Sequence, residues 1–341
     1  MVIGFEYFWL KPEDPQSTPI VSEFFLDRSL LLFIMLIGNV ISSAFVDYVI
    51  LTQSSSLNYY KYCLLNQTIW TQFAEIMFLF GSPVLLSPYL AGFPSGFLRN
   101  IGTPIVTAIF TEVFLFFYLN SLLGVFLTLM NRFIAVFHSE LEKWFHSKVS
   151  IVTIAIVHIL IDGFFLHCII RAIILNTLSD IDTGKALEPW FREKGLINFP
   201  EYGGYTRTAL FFVFCFVGIL FFVLVGTIIW FICKVFIGRK TSKILNKHST
   251  SLLLSALVQA GCCIIFSYIP MLFILYCWSF APKNSANASN IALAFFSVYG
   301  TVDMLCTLYF VKPYRQYCWF LVDKYFILRW KGSQVTVTTS T

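Results

Sequence analysis

Among the ionisable side chains that interrupt long apolar segments of this sequence, six are its strongest candidates for chemistry. They are Glu75, Glu112, His158, Asp162, His167 and Asp303. Burying such a group in an apolar environment is costly unless protein partners or water compensate it. Each is therefore a candidate functional residue, and equally a candidate member of a structural hydrogen-bond network that fixes how helices pack. Glu75 and Asp303, each near the middle of its segment, are predicted to form an intramembrane polar network.

Catalysis and metal binding are both disfavoured by the residue spacing. His158 and His167 lie nine residues apart on one predicted helix, too far to share a metal ion, so hydrogen-bonded histidines are favoured. The nine cysteines have no C-x-x-C spacing and read as small packing residues in apolar helices. No Ser-His-Asp, His-Glu-x-x-His or phosphate-cradling motif is present. We therefore predict no enzyme activity, no cofactor and no metal.

The composition is that of a polytopic α-helical membrane protein. Hydrophobic residues make up 58% of the 341-residue chain and charged residues 12%, and Phe alone occurs 39 times. Soluble domains are usually about 45–50% apolar, and they need more charge to cover their surface. Long unbroken apolar runs also argue against a β-barrel, whose strands alternate. The lipid bilayer is thus the first predicted partner, and the net charge of +5 is no nucleic-acid footprint.

Seven apolar runs are long enough to cross a bilayer as helices. We predict spans at Leu30–Leu51, Leu64–Ala91, Ile105–Asn131, Val149–Ile170, Ala209–Cys233, Ser251–Trp278 and Ile291–Val311. Pro83 and Pro88 in the second span and Pro270 in the sixth predict kinks there. The predicted organisation is an N-terminal segment 1–29, a seven-helix bundle 30–311 and a tail 312–341.

The distribution of basic residues predicts which way the bundle faces. Fourteen of the 23 Lys and Arg residues fall in the 52–63, 132–148 and 234–250 connections and the tail after Val311, against nine elsewhere. Because cytoplasmic flanks carry an excess of Lys and Arg, the N-terminus is predicted outside and the tail inside. The long 171–208 connection is then external. Its aromatic residues either fold over the mouth of the bundle or rest on the membrane interface.

Two segments near the end of the chain are candidates for modification. The tail is predicted to form a short amphipathic helix over 314–331 on the inner leaflet, with Cys318 on its apolar side. Cys318 is therefore a palmitoylation candidate, the alternative being an unmodified packing cysteine. Asn287-Ala288-Ser289 is a glycosylation sequon in a short outer loop close to the seventh span.

Three local patterns resemble the nematode seven-transmembrane serpentine chemoreceptors. The second span begins Leu-rich and continues with a Trp, an acid five residues later, prolines and glycines, here Trp70, Glu75, Pro83, Pro88, Gly92 and Gly96. The third span ends with an Asn-Arg pair, Asn131-Arg132, and the seventh ends with Pro313-Tyr314-Arg315. Glu75 stands where the family often has Asp, and Tyr299 where a His often precedes the Gly. Class H (Srh) is the nearest class and class I (Sri) the next.

The resemblance implies an all-α, G-protein-coupled-receptor-like bundle in the plasma membrane of a sensory cilium. Its partners would be a small-molecule ligand, volatile ones included, and a heterotrimeric G protein. The ligand site would lie in the outer half of the bundle, among helices three to seven, and include Glu112. The G-protein face would comprise Asn131, Arg132, Arg239, Lys240, Lys243, Pro313, Tyr314 and Arg315. The alternative function is a seven-span ligand-gated cation channel, and a transporter is less favoured.

Overall fold

The computed structural model describes residues 18–54, 57, 60–137, 139–145, 147–175, 187–199, 205–241 and 247–324. Seven long helices dominate them. They are α1 Ser29–Thr52, α2 Tyr60–Gly81, α3 Pro104–Phe137, α4 Lys148–Leu175, α5 Tyr205–Thr241, α6, and α7 Ala286–Phe310. α6 consists of Lys247–Cys263, a π-helical turn Ile264–Tyr268, and Ile269–Phe280. The predicted seven-helix all-α membrane fold is therefore confirmed.

The helices have the composition of membrane spans. Five of them, α1, α3, α5, α6 and α7, contain stretches long and apolar enough to cross a bilayer, and α4 contributes the shorter apolar stretch Lys148–Leu160. α2 is less apolar because it carries Gln67, Gln72 and Glu75, all of which are buried. Large apolar side chains point outward from the bundle, and Phe222 on α5 is 73% exposed. Such exposure suits a surface that is solvated by lipid.

The second span ends earlier than the sequence predicts. α2 stops at Gly81, Ser82 has a positive φ of 43°, and Pro83 begins a β-strand, so the predicted helix through Ala91 and its kinks at Pro83 and Pro88 are wrong. Proline disfavours helical geometry in the residue before it, which explains the break at Ser82. The apolar residues that follow are buried within protein rather than in lipid.

A small antiparallel sheet covers the end of the bundle where α2 stops. Strand β1, Pro83–Leu85, pairs with β2, Ala91–Pro94, and β2 pairs with β3, Ile197–Asn198, from the long connection. We call this end the sheet end and the opposite one the α8 end. An apolar cluster beneath the sheet joins it to the N-terminal segment, and its buried members are Val21, Phe25, Val84, Leu86, Tyr89, Ala91, Phe93, Leu187 and Ala286.

The irregularity predicted at Pro270 takes the form of the π-helical turn. The N–H of Ile269 bonds the carbonyl of Ile264, five residues earlier, directly before Pro270. Because proline supplies no N–H and its ring crowds the preceding turn, a wider turn at this point is a common accommodation. α6 thus has one irregular turn between two regular helical segments.

A final helix follows α7 at once. Helix α8 covers Lys312–Val322, so it begins two residues before the predicted 314–331, and residues 325–331 lie outside the described part of the chain. Pro313 occupies its first turn, where a missing N–H costs nothing. Tyr314 is fully buried and anchors α8 to the bundle, whereas Trp319 and Phe320 are exposed.

Candidate functional site

Asp303 is fully buried between α2 and α7 and receives two hydrogen bonds from one side chain. The Nε2 of Gln67 lies 3.1 Å from one carboxylate oxygen and 3.2 Å from the other. α3 approaches closely here because Gly124 has no side chain. A Cβ at Gly124 would lie 2.9 Å from the Cα of Gln67. The glycine therefore allows α3 to hold Gln67 against Asp303.

Glu75 lies two turns further along α2 and has different partners. The hydroxyl of Thr301 donates to Glu75 Oε1 at 2.8 Å, and the amide of Asn39 donates to that same hydroxyl at 3.4 Å. This chain joins α1, α7 and α2. Gly300 makes room for the carboxyl, since any Cβ at that position would collide with Glu75 Oε2.

The two acids therefore share the α2–α7 interface but not a partner. Among the described residues neither forms a salt bridge, and Glu75 Oε2 has no hydrogen-bond partner. Two buried acids whose described contacts are amides and hydroxyls would be costly if both were ionised, because no cation among the described residues compensates them.

A second polar cluster joins α3 to α4. The amide of Asn120 donates to both oxygens of Asp162, at 3.3 and 3.2 Å, and its oxygen bonds Nδ1 of His158. His158 is thus a hydrogen-bonded histidine, as the sequence favours, while the side chain of His167 lies outside the described part. Glu112 sits two turns from Asn120 toward the sheet end, and its Oε2 finds no partner in the described ranges. The structure does not bring Glu112 together with Glu75 or Asp303.

The sheet end is closed by the long connection. Arg99 forms a 2.8 Å salt bridge with Glu193 and donates to the carbonyl of Leu26 at 3.0 Å. The hydrogen bond to Glu193 raises the pKa of Arg99 and so favours the charged guanidinium. Trp190 stacks on Phe93 at 5.6 Å between ring centroids. Of the two alternatives for this loop, residues 187–199 fold over the bundle.

Beneath the sheet, aromatic and aliphatic side chains fill the bundle. The buried members of this aromatic cluster are Ala74, Phe78, Tyr118, Ile274, Ala292, Leu293 and Phe296. Its polar contact is a 2.9 Å hydrogen bond between the hydroxyls of Tyr118 and Ser267. Since rings and aliphatic chains dominate, a molecule that replaced some of these contacts would have to be largely apolar.

At the α8 end, Arg132 lies flat against Tyr60. The guanidinium carbon is 3.1 Å from the ring centroid, and neither Nε nor Nη2 has a hydrogen-bond partner within the described part. Its neighbour Asn131 donates to Cys63 Sγ at 3.4 Å. Tyr314 packs in the same apolar cluster as Tyr60, and its hydroxyl is 2.5 Å from Ser54 Oγ. Three helices, α2, α3 and α8, therefore meet around Arg132.

The remaining predicted coupling residues are less engaged or undescribed. Pro313 is half-buried, and the guanidinium of Arg315 lies 5.7 Å from the ring centroid of Tyr309. Arg239 and Lys240 belong to the last turns of α5, but their side chains lie outside the described part, as does all of Lys243. Sequence reasoning missed Tyr60 and Ser54, because a tyrosine and a serine beside a short connection carry no recognisable motif.

The sequence model of one family, the serpentine type 7TM GPCR chemoreceptor Srh, matches residues 25–324. The match covers all seven helices and α8. This chain belongs to the Srh family. None of the curated proteins that were compared matches it. The class predicted as nearest from the helix-two pattern and Pro313-Tyr314-Arg315 is thereby confirmed, and the protein is a multi-pass serpentine chemoreceptor.

Two predicted modification sites of this Srh receptor have specific surroundings. Asn287 lies in the first turn of α7, where its Oδ1 accepts a 2.8 Å hydrogen bond from the N–H of Ser22, and Ser289 of the same sequon is fully buried. Only an unfolded or nascent chain would present that sequon freely. Cys318 is a free, half-buried cysteine on α8. Glycosylation and palmitoylation at these positions remain predictions.

Proposed function

We propose that this Srh receptor converts binding of an external small molecule into activation of a heterotrimeric G protein. The observation that carries the proposal is the position of Arg132. The ring of Tyr60 holds the guanidinium at the α8 end of α3, where its Nε and Nη2 are buried and have no hydrogen-bond partner in the described part. A docking partner gains access to these donors once the contact with Tyr60 opens. A guanidinium can bond several carbonyl oxygens of a docked helix at once.

The ligand site of this proposal is the aromatic cluster below the sheet. The ring of Phe296 on α7 contacts both Phe78 on α2 and Tyr118 on α3, so a molecule that enters between these rings changes the packing of three helices. The site calls for a small, largely apolar ligand, volatile ones included. Glu112 would then lie toward the sheet end of this site rather than at its centre.

Signalling follows from a population shift. A ligand that binds an arrangement with Arg132 released more tightly than the closed arrangement moves the equilibrium by the ratio of the two affinities. The polar contacts at Glu75 and Asp303 lie between the ligand site and Arg132 along α2 and α7. We infer that they transmit the change by repacking rather than by bending one helix.

Location and orientation belong to the same proposal. With the N-terminus outside, the sheet end faces the exterior and α8 lies at the inner leaflet, where Lys312, Arg315 and Lys324 meet anionic headgroups. The plasma membrane of a sensory cilium would expose the sheet end to chemicals in the environment.

The test is a second-messenger assay in cells that express the full chain. A panel of volatile and small metabolites is applied with and without a co-expressed Gα subunit. We expect at least one compound to give a response that requires Gα and a surface-localised receptor. A ligand-gated current that persists without Gα would instead support the channel alternative, and ligand uptake would support a transporter.

A further inference from the structure

Two cysteines face each other across the contact between α6 and α7. The Sγ atoms of Cys262 and Cys306 lie 3.7 Å apart, and both thiols are free and half-buried. Next to them, Gln259 on α6 donates to the hydroxyl of Thr307 on α7 at 2.6 Å. This hydrogen bond joins the same two helices one turn from Cys262 and next to Cys306, so the thiols lie where α6 and α7 are in direct contact.

We propose that Cys262 and Cys306 are a reversible oxidation site that forms a disulfide and locks α6 to α7. A disulfide bond is about 2.05 Å long, so the sulfurs must approach by about 1.7 Å from their 3.7 Å separation. The bond also requires Cα atoms about 4.4–6.8 Å apart, a spacing that two closely packed helices can provide. The cysteine beside this pair, Cys263, is fully buried and points toward a different cluster.

The oxidant is a peroxide, which as a small neutral molecule reaches a thiol inside a bundle. One thiol, as thiolate, attacks a peroxide oxygen, the O–O bond breaks, and a sulfenic acid and one water are formed. The second thiol attacks the sulfenic sulfur, the S–O bond breaks, and a second water leaves with the remaining proton. The two thiols lose two electrons and the peroxide gains them. A dithiol reductant reverses the bond through a mixed disulfide.

The disulfide would act beside the π-helical turn of α6. Cys262 lies two residues before the π-helical turn Ile264–Tyr268, and Cys306 lies one turn from Asp303 on α7. With the bond formed, the α8-side half of α6 can no longer shift relative to α7. If, as proposed above, signalling requires repacking of α7, the oxidised receptor responds less to its ligand. This last step rests on the proposed function, whereas formation of the bond does not.

The bond is tested on the full-length receptor in lipid nanodiscs treated with hydrogen peroxide. Trypsin cleaves after Lys283 and so separates Cys262 from Cys306, and mass spectrometry without reduction then detects linked peptides. We expect a linked pair spanning 248–283 and 284–315 that dithiothreitol removes, that Cys262→Ser abolishes, and that the matched control Cys263→Ser retains. Absence of this pair after peroxide treatment, or its persistence in Cys262→Ser, would overturn the proposal.

The lock is tested in cells by the ligand response before and after peroxide. We expect a several-fold loss in wild type that dithiothreitol restores, and no loss in Cys306→Ser. An unchanged response in receptor shown to carry the linked pair would overturn the lock. A receptor without response in any redox state, and in Cys306→Ser as well, would count against the proposed function while leaving the mapped bond standing.

Discussion

The guanidinium of Arg132 and the ring of Tyr60 are stacked, with the guanidinium carbon 3.1 Å from the ring centroid. Tyr60 is 2% exposed, so the pair is shielded from water. A desolvated cation–π contact is worth up to about 2 kcal/mol, enough to hold an otherwise unpaired guanidinium in place. The contact joins the ends of α2 and α3 and is the structural basis for the first two predictions.

Arg132→Lys and Arg132→Ala should both reduce G-protein activation while the surface level stays near that of wild type. Lys keeps the charge but lacks the planar fork that stacks on Tyr60 and bonds several acceptors, so it should rescue only in part. Surface label and nucleotide exchange are measured in the same cells. Lys148→Ala, at an exposed cation on the same side of the membrane, is the control.

A different set of results would show that Arg132 takes no part in G-protein coupling. If the residue is only a membrane anchor, Lys will behave as wild type and Ala will lose surface expression rather than activity.

Tyr60 should matter for its ring and not for its hydroxyl. The Tyr60 oxygen has no hydrogen-bond partner among the described residues, so Tyr60→Phe should behave as wild type. Tyr60→Leu removes the stacking surface and should raise ligand-independent signalling by about 2- to 30-fold, the range that corresponds to about 0.5–2 kcal/mol. Basal second messenger per surface receptor is the measurement. Equal basal activity in Leu and Phe variants would contradict the proposed resting-state contact.

Glu75 and Asp303 should contribute to stability almost independently. A shared polar cavity, the expectation from sequence, would make Glu75→Gln and Asp303→Asn less than additive. The structure changes that expectation, because the two acids share no hydrogen-bond partner: Glu75 accepts from Thr301, and Asp303 accepts from Gln67. We expect additivity within about 0.5 kcal/mol for the two acids.

A second double-mutant cycle, which serves as the control, tests the direct contact between Gln67 and Asp303. Gln67→Leu and Asp303→Leu should couple by about 0.5–3 kcal/mol, since either single change leaves a buried polar group without its partner. Thermal unfolding of purified receptor in nanodiscs measures both cycles. Strong coupling between the two acids, with no coupling between Gln67 and Asp303, would contradict the hydrogen bonds from Gln67 to Asp303 and from Thr301 to Glu75.

The sequence predicts the number and position of the helices well, because bilayer thickness imposes a minimum length on every span. It fails at Pro83, where the apolar run continues although the helix has ended. Hydropathy does not distinguish an apolar residue buried by lipid from one buried under a β-sheet, so Val84 and Leu86 resemble membrane residues.

The site residues divide in a similar way. Arg132 and Tyr314 belong to motifs that the resemblance supplies, whereas Tyr60 and Gln67 are identified only by which helices meet. Pairing across helices depends on rotation and register, which a single sequence does not specify. The closeness of Cys262 and Cys306, 44 residues apart in the chain, is of the same kind.

Gly300→Ala should destabilise the receptor through a collision with Glu75. A Cβ on Gly300 overlaps Glu75 Oε2, and inserting a methyl group into such a packed contact costs about 1–3 kcal/mol. Gly38→Ala is the control, because a Cβ there meets nothing within 4 Å. The cost of Gly300→Ala should shrink in a Glu75→Ala background, where the colliding group is absent. An equal cost in both backgrounds, measured by thermal unfolding, would place the strain elsewhere.

The orientation is testable with two probes that the structure selects. Phe191 in the loop over the sheet end is 56% exposed, and Trp319 on α8 is 61% exposed, so a cysteine at either position should react readily. With the N-terminus outside, a membrane-impermeant maleimide should label Phe191→Cys in intact cells and Trp319→Cys only after permeabilisation, each above the background of the native cysteines. The two positions lie at opposite ends of one bundle, so their labelling must be opposite in any single orientation. Labelling of Trp319→Cys but not Phe191→Cys in intact cells would show that the bundle has the opposite orientation. Arg132 would then face the exterior, and a cytoplasmic partner could not bind at that residue.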